Sequence, residues 1–172
     1  AARSCIVLPG THSKWAQIEA GTILCFSTYM TGELFAVLCQ HSILGRLLPE
    51  KVDAPPDLDH AAFELGLAEA RRSRPGEVMH QIFGTRTLGL TGRLPHAALA
   101  DYLSGLLIGS ELMSGLALDR VLTAAPLVMI GEPKLCQRYA HALTYFGLPA
   151  ATVLDNTAPI GLWNFAVAAG LC

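Results

Sequence analysis

Five consecutive residues near the start of the chain, Gly10-Thr11-His12-Ser13-Lys14, combine small polar donors with one positive charge. Glycine lets a backbone approach an anion closely, and the hydroxyl, imidazole and ammonium groups around it are hydrogen-bond donors. Phosphoryl transfer needs mainly positioning and charge stabilisation, which such groups supply. We therefore interpret the turn as a candidate phosphate site, with Thr11, Ser13 and Lys14 as candidate catalytic residues. Composition alone favours an ordinary polar hairpin turn, because turns of this kind are common.

A second candidate site lies where an apolar run ends in Ile130-Gly131-Glu132-Pro133. A glycine after a strand, followed by a helix start, is a place where nucleosides or phosphates dock in α/β proteins. Glu132 suits a ribose or an adenine better than a triphosphate, because like charges repel. A plain loop between a strand and a helix is the alternative interpretation.

The remaining chemistry-bearing residues give weaker signals. Thr31 and Glu33 fit a helix cap, and a structural cap is the favoured interpretation from sequence alone. The six histidines show neither H-x-x-x-H nor H-E-x-x-H spacing, so we expect no metal site made by protein ligands. The sequence contains neither a nucleophile elbow nor a P-loop.

The composition of the 172 residues is apolar for a soluble domain: 52% are hydrophobic, 15% are charged, and the mean hydropathy is +0.41. The most apolar helix candidate, 102–118, carries serines and a glutamate, so it does not predict a membrane span. A net charge of −2 without a large basic cluster gives no support for nucleic-acid binding. The chain starts almost directly in a strand, so we expect a fragment whose partner surface is missing.

The five cysteines are scattered, without C-x-x-C spacing, and we expect small, buried, reduced thiols in a cytoplasmic protein. No signal peptide is visible. The cysteines are Cys5, Cys25, Cys39, Cys136 and Cys172.

The elements that must position these residues begin with three strands and then become helical. Runs at 4–8, 15–19 and 22–30 predict an antiparallel meander. Helices follow, with Thr31 and Asp59 as expected N-caps, a proline-rich loop over 42–59 that contains Pro55 and Pro56, and weak helical character over 77–90. Pro95 suits the first turn of a long helix that is apolar nearly all round and therefore buried.

The last part alternates strand, helix, strand and helix, which predicts parallel strands joined by right-handed crossovers. The strands are expected at 126–130 and 151–154, and the helices at 132–146 and 157–171. The resulting order is β-β-β-α-β-α-β-α, with a helical insertion over about 42–94 after the third strand. This is the topology of a lobe of the actin-like ATPase and sugar-kinase (ribonuclease H-like) fold, an α/β architecture.

Several long strings, in the right order, cover nearly the whole chain and resemble the 2-dehydro-3-deoxygalactonokinase family. They are LPGTHSKW, TYMTGELFAVL with QHSILGR, RTLGL, and YLSGLLIGSEL with IGEPKLCQRYAHAL. The resemblance implies ATP-dependent phosphorylation of 2-dehydro-3-deoxy-D-galactonate at its 6-hydroxyl, in galactonate catabolism. It also implies that 1–172 is the second, C-terminal lobe of a two-lobe kinase. The Asp-x-Gly motif of the N-terminal lobe, which would organise Mg²⁺, is absent from this chain.

The resemblance assigns residues to the ATP and sugar-acid sites. Gly10, Thr11, His12, Ser13 and Lys14 match the second phosphate motif, and Gly131, Glu132 and Pro133 match the adenosine motif. The helix that carries Gly105, Gly109 and Glu111 is expected near the same cleft, with Gly109 at the ATP. Thr31 and Glu33 are expected at the rim that faces the sugar acid.

Three matters stay open at this point. The general base cannot be placed, and Asp155, which follows the last strand, is a poor candidate. A kinase for another keto-deoxy sugar acid, such as the gluconate epimer, and a non-catalytic assembly or regulatory lobe are the alternatives. The expected partners are ATP, the sugar acid and the chain's own N-terminal lobe, and homodimer formation is left open.

Overall fold

A mixed five-stranded sheet forms the centre of the protein in a computed structural model that describes residues 3–49, 58–118 and 126–171. The strand order is β3-β2-β1-β4-β5, with β1–β3 antiparallel and β4 and β5 parallel to β1. The strands span Arg3–Leu8 (β1), Ser13–Glu19 (β2), Thr22–Tyr29 (β3), Leu127–Ile130 (β4) and Thr152–Leu154 (β5). The predicted meander and the predicted parallel strands are both confirmed.

The turn between β2 and β3 has two residues, Ala20 and Gly21, both with positive φ. Two positive φ values in a two-residue loop match the twist of an antiparallel hairpin, and glycine adopts such a value without steric cost. The turn sets Glu19 opposite Thr22, and an irregularity between Gln17 and Ile18 then shifts the register by one residue on β3. Beyond this shift, Trp15 is buried in the core between the sheet and the helices.

The helices span Thr31–His41 (α1), His60–Arg72 (α2), Val78–Leu90 (α3), Leu99–Leu118 (α4), Pro133–Tyr145 (α5) and Ala158–Ala168 (α6). Short 3-10 helices cover Gly45–Leu47 and His96–Ala98. The first lies within the loop expected over 42–59. Pro95 directly precedes the second, which leads into α4. The prediction that Asp59 caps α2 is confirmed, because its carboxylate accepts from the Ala62 N–H at 3.0 Å. Pro55, Pro56 and Cys172 lie outside the described residues.

The expected N-cap role of Thr31 is wrong. Met30 occupies the cap position and Thr31 is the first residue of α1. A capping side chain accepts from the first N–H groups of a helix and lies one residue before it, where this chain has Met30 and no side-chain capping bond. The Thr31 hydroxyl, inside the first turn, instead donates to the Glu111 carboxylate on α4.

The close packing of α2 on α4 holds the helical part against the sheet. A Cβ at Gly105 would lie 2.0 Å from the Phe63 carbonyl oxygen, and one at Gly66 would lie 2.1 Å from the Tyr102 carbonyl oxygen. The two helices therefore touch backbone to backbone. As predicted, α4 is buried on most sides, with Leu103, Leu106 and Leu112 almost fully covered.

Apolar side chains remain exposed at both ends of the sheet. On the edge strand β3, Phe26 is 65% exposed, and on α6, Trp163 is 62% exposed and Leu162 69%. The expectation that the cysteines are buried is confirmed for Cys5 and Cys136 and partly met by Cys39, which is half-buried. It is wrong for Cys25, which is exposed because β3 has no outer neighbour in the sheet. Among the described helices, none is both long and apolar enough to span a bilayer.

Candidate active site

The turn between β1 and β2 lies at the carboxyl end of the central strand. Thr11, His12 and Lys14 are exposed, and Gly10 is half-buried with open space where a Cβ would stand. The Lys14 ammonium group donates to the His12 carbonyl at 3.1 Å, so it lies along the outside of the turn. An anion could therefore approach the turn from the solvent side and meet a positive charge.

The first turn of α1 is bonded directly to this hairpin. The Glu33 N–H donates to the Thr11 carbonyl at 2.9 Å, and the Glu33 carboxylate pairs with the His12 imidazole. A Cβ at Gly32 would lie 2.5 Å from the Gly10 carbonyl oxygen. Only glycine at position 32 allows this approach, which brings the predicted phosphate turn and the predicted sugar-acid rim together.

A buried carboxylate lies directly beneath the hairpin. Glu111 on α4 is 3% exposed and accepts four hydrogen bonds. Ser13 and Trp15 both donate to Oε1 at 2.7 Å, while Tyr139 donates to Oε2 at 2.7 Å and Thr31 donates to the same oxygen. Four donors match the lone pairs of an ionised carboxylate. Burial, followed by the nearby Glu111 charge, raises the pKa of Tyr139, which keeps its hydroxyl protonated and donating.

This network changes the expected geometry at two predicted residues. Ser13 is fully buried with its hydroxyl bonded to Glu111, so a contact of this hydroxyl with phosphate would require that bond to break. The Thr31 hydroxyl is bonded to the same carboxylate and lies below the rim of the cleft. Of the five turn residues, Thr11, His12 and Lys14 present their side chains to solvent.

The second candidate site meets the first where β1 and β4 end side by side. A Cβ at Gly131 would lie 3.2 Å from the Pro9 carbonyl oxygen and 3.3 Å from the Cys136 sulfur. Pro133 starts α5, and the exposed Glu132 carboxylate caps it by accepting from the N–H groups of Lys134 at 3.0 Å and Leu135 at 2.8 Å. Because this carboxylate already occupies the helix terminus, a phosphate would be repelled there.

The cap makes the stability of the protein pH-dependent. The N–H bonds from Lys134 and then Leu135 lower the pKa of Glu132 below its usual 4.5. The folded pKa lies below the unfolded one, so the charged cap stabilises the fold above pH 4.5 and this stabilisation is lost as the pH falls through the folded pKa. We expect Glu132→Gln to lower the melting temperature near neutral pH, and we expect the difference from wild type to shrink in acid. A difference that stays constant with pH would contradict the charged cap.

A cavity of about 180 Å³ opens between the hairpin, α1, α4 and α5. Its walls are largely apolar, from Phe35, Leu107, Ile108 and Leu135, and its polar groups include Ser104 and Arg138. Arg138 is fixed by an ion pair with Asp101 at 2.8 Å, and the second Asp101 oxygen accepts from the Asp59 N–H at 2.9 Å. An apolar cavity with a few fixed polar groups is the usual form of a small-molecule site.

Gly109 takes a different position from the one predicted. It is buried in the interface of α4 with α2, where a Cβ would lie 2.7 Å from the Ala70 Cβ. The structure therefore gives Gly109 a packing role, and the α4 residues that line the cavity are Ser104, Leu107 and Ile108.

The sequence placed the helix that carries Glu111 near the cleft but gave Glu111 itself no function, and it singled out neither Arg138 nor Tyr139. All three are central to this site. One signal was available for Glu111, because it is an acid in the middle of an apolar helix and buried carboxylates require partners. Arg138 and Tyr139 carry no such local signal, since an arginine or a tyrosine on an amphipathic helix is ordinary.

Comparison with known proteins gives consistent results. The model of the family described as 2-keto-3-deoxy-galactonokinase matches residues 1–165. The chain is 36% identical over 155 residues to the 2-dehydro-3-deoxygalactonokinase of Escherichia coli (strain K12), and the match covers 90% of this chain and 50% of that protein. It is 34% identical over 162 residues to the "Probable 2-dehydro-3-deoxygalactonokinase DgoK1" of Rhizobium meliloti (strain 1021), with 91% and 50% covered.

A solved structure is also similar. The crystal structure of a "putative 2-dehydro-3-deoxygalactonokinase protein" from Sinorhizobium meliloti superposes with a TM-score of 0.79 at 30% identity, over 90% of this chain and 50% of that one. The chain therefore spans about half the length of the curated relatives and of the structure that it matches.

Proposed function

The chain belongs to the 2-keto-3-deoxy-galactonokinase family, and we propose that it forms one lobe of an ATP-dependent kinase for 2-dehydro-3-deoxy-D-galactonate. The reaction would transfer the γ-phosphoryl group of ATP to the 6-hydroxyl of the sugar acid. The match of the family model over residues 1–165 carries this proposal, and the clustering of the hairpin, α1 and α5 around one cavity supports it.

The proposed architecture is an actin-like lobe that closes on a second lobe. The strand order β3-β2-β1-β4-β5, with an antiparallel meander and two parallel strands, agrees with that fold. The relatives have about twice the length of this chain, which leaves room for the second lobe. The exposed side chains of α6, including Trp163 and Phe165, agree with a surface that another part of the protein covers.

In this proposal the adenosine occupies the cavity and the phosphates extend to the hairpin. The apolar walls from Leu107 and Leu135 suit the faces of an adenine, and Gly131, Glu132 and Pro133 border the ribose side. Gly10, Thr11 and His12 then reach the β- and γ-phosphates, and the Lys14 charge offsets the negative charge that develops during transfer. Ser13 contributes through its bond to Glu111, which fixes the start of β2.

Glu33 is the proposed contact to the sugar acid from this lobe. Its carboxylate lies beside His12 at the hairpin, where it can accept from a sugar hydroxyl. Thr31, two residues earlier in the same turn, holds the start of α1 in place through Glu111. Closure of the second lobe would exclude water from the γ-phosphate and supply the general base.

Kinases of this kind use Mg²⁺ to neutralise the phosphates, and the described residues do not fit a site for it. Within the described ranges, no three His, Cys, Asp or Glu side chains lie close enough together to hold a metal ion. The three acids next to the hairpin already have partners: Glu33 pairs with His12, Glu132 caps α5, and Glu111 accepts from four neutral donors.

A coupled assay of ADP release tests the proposal. The two-lobe protein should form ADP when 2-dehydro-3-deoxy-D-galactonate and Mg-ATP are both present, whereas the 172-residue chain alone should not. The same assay with the gluconate epimer in place of the substrate measures specificity between the two sugar acids. Absence of ADP formation with either sugar acid would point to a non-catalytic lobe, and turnover by the isolated chain would contradict the two-lobe mechanism.

A further inference from the structure

We propose that Glu111 is a positioning residue that couples the wall of the nucleoside cavity to the phosphate hairpin. The proposal rests on the kinase function proposed above and adds a role for a residue that touches neither ATP nor sugar acid. Its basis is the way in which the four donors divide between the two carboxylate oxygens.

The division of the donors follows the two parts of the site. Among the described residues, the donors to Oε1 both lie on β2, the strand that leaves the hairpin: Ser13 and Trp15, at 2.7 Å each. The described donors to Oε2 both line the cavity: Thr31 at the start of α1, and Tyr139 on α5 at 2.7 Å. One carboxylate on α4 therefore joins β2, α1 and α5.

All four donors are neutral, so no positive charge among them offsets the cost of burying the Glu111 carboxylate. Stability alone therefore does not account for this buried acid. Among the ion pairs of the described residues, none involves Glu111. Burying a carboxylate without a cation carries a desolvation penalty that apolar packing would avoid. Buried polar groups of this kind fix one geometry among several, and here the fixed geometry is that of the hairpin relative to the cavity.

The consequence is that a nucleoside in the cavity and a phosphate on the hairpin are positioned together. When the base packs against Tyr139 and the first turn of α1, the carboxylate holds β2, and with it Lys14, at a set distance. Loss of a donor on either side leaves the nucleotide bound but releases the hairpin. The expected signature is a fall in kcat with little change in nucleotide affinity.

A double-mutant cycle in the two-lobe protein tests the coupling, using Tyr139→Phe on the cavity side and Ser13→Ala on the hairpin side. Each substitution removes one hydroxyl and leaves the rest of the residue in place. We expect each to lower kcat about tenfold, with the Kd for ADP within about threefold of wild type. The double variant should be within about twofold of the single variants, because either loss already disconnects the two parts.

Tyr145→Phe is the matched control, because it removes the same hydroxyl from the same helix at a position where the ring packs on Phe146. Melting temperatures and far-UV circular dichroism of each variant separate folding defects from positioning defects. A kcat for Tyr139→Phe equal to that of Tyr145→Phe would overturn the proposal. So would losses that multiply in the double variant, which is the result expected if Ser13 contacts phosphate independently.

Trp15 provides a second readout that does not depend on turnover. In the 172-residue chain, Trp163→Phe leaves Trp15 as the one tryptophan. The emission of this buried side chain should change when ADP is added to the chain with an intact network, and should not change when the chain also carries Tyr139→Phe. An identical response in both would overturn the coupling. A two-lobe wild type without kinase activity would overturn the proposed function and the coupling with it. An active wild type whose Tyr139→Phe and Ser13→Ala variants keep the wild-type kcat would overturn the coupling alone.

Discussion

Gly105→Ala is expected to destabilise the protein by at least about 3 kcal/mol, because the added methyl group meets backbone that cannot move aside. Its Cβ would lie 2.0 Å from the Phe63 carbonyl oxygen, 2.9 Å from the Phe63 carbonyl carbon and 3.2 Å from the Leu67 nitrogen. Relief requires α2 to move away from α4. That movement would open the core around Phe63 and displace the helix that carries Glu111.

Thermal unfolding of the chain, followed by circular dichroism, measures this effect. The matched control is Gly84→Ala in the interior of α3, where the nearest atom to an added Cβ is the Tyr102 hydroxyl oxygen at 3.8 Å. With room for the methyl group, alanine should stabilise the helix by about 0.5–1 kcal/mol. Equal melting temperatures for the two variants would contradict the backbone contact between α2 and α4.

Lys14→Ala is expected to lower kcat about 100-fold in the proposed two-lobe kinase, because it removes the positive charge nearest the proposed γ-phosphate position. The side chain is exposed, and its one hydrogen bond to a described residue is to the His12 carbonyl, so its removal should leave the fold intact. The KM for ATP should change less than kcat, since the charge acts mainly on the group being transferred.

Steady-state kinetics with varied ATP check this prediction. Lys14→Arg keeps the charge on a longer, planar group and should retain more activity than Lys14→Ala. Arg93→Ala removes an exposed positive charge from the loop after α3 and should leave kcat unchanged. Turnover of Lys14→Ala within about threefold of wild type, under 1 kcal/mol, would remove Lys14 from the catalytic set.

Most helices and strands could be predicted because the residues that mark each of them lie within that element. The change from β-branched runs at the start to a 3.6-residue period after Thr31, and back to short apolar runs near Leu127 and Val153, marks the elements in order. The corrections come from tertiary contacts. α1 begins at Thr31 itself, so Met30 holds the cap position and the Thr31 hydroxyl donates to Glu111 on α4. Cys25 is exposed because its strand is at the edge of the sheet.

The site was harder to predict than the fold. The sequence located the turn and the start of α5. It did not show that the Ser13 hydroxyl faces inward, because Ser13 was assigned to the turn, whereas it is the first residue of β2 and lies on the same buried face as Trp15. The sequence does not indicate whether Gly109 contacts a ligand or a neighbouring helix. In the structure it packs against Ala70 of α2. Glu111 acquires its partners from three separate elements, so no window of sequence contains the network.

The position of β1 in the sheet has a consequence for synthesis of the protein. β1 pairs with β2 almost at once, but its other neighbour is β4, and the pair Cys5–Leu127 is separated by about 120 residues. At roughly 5–20 residues per second, the ribosome needs roughly 6–24 s to deliver that partner. During this interval the nascent chain carries an apolar strand with one free edge, so cotranslational folding of the sheet depends on protection of β1 until β4 emerges.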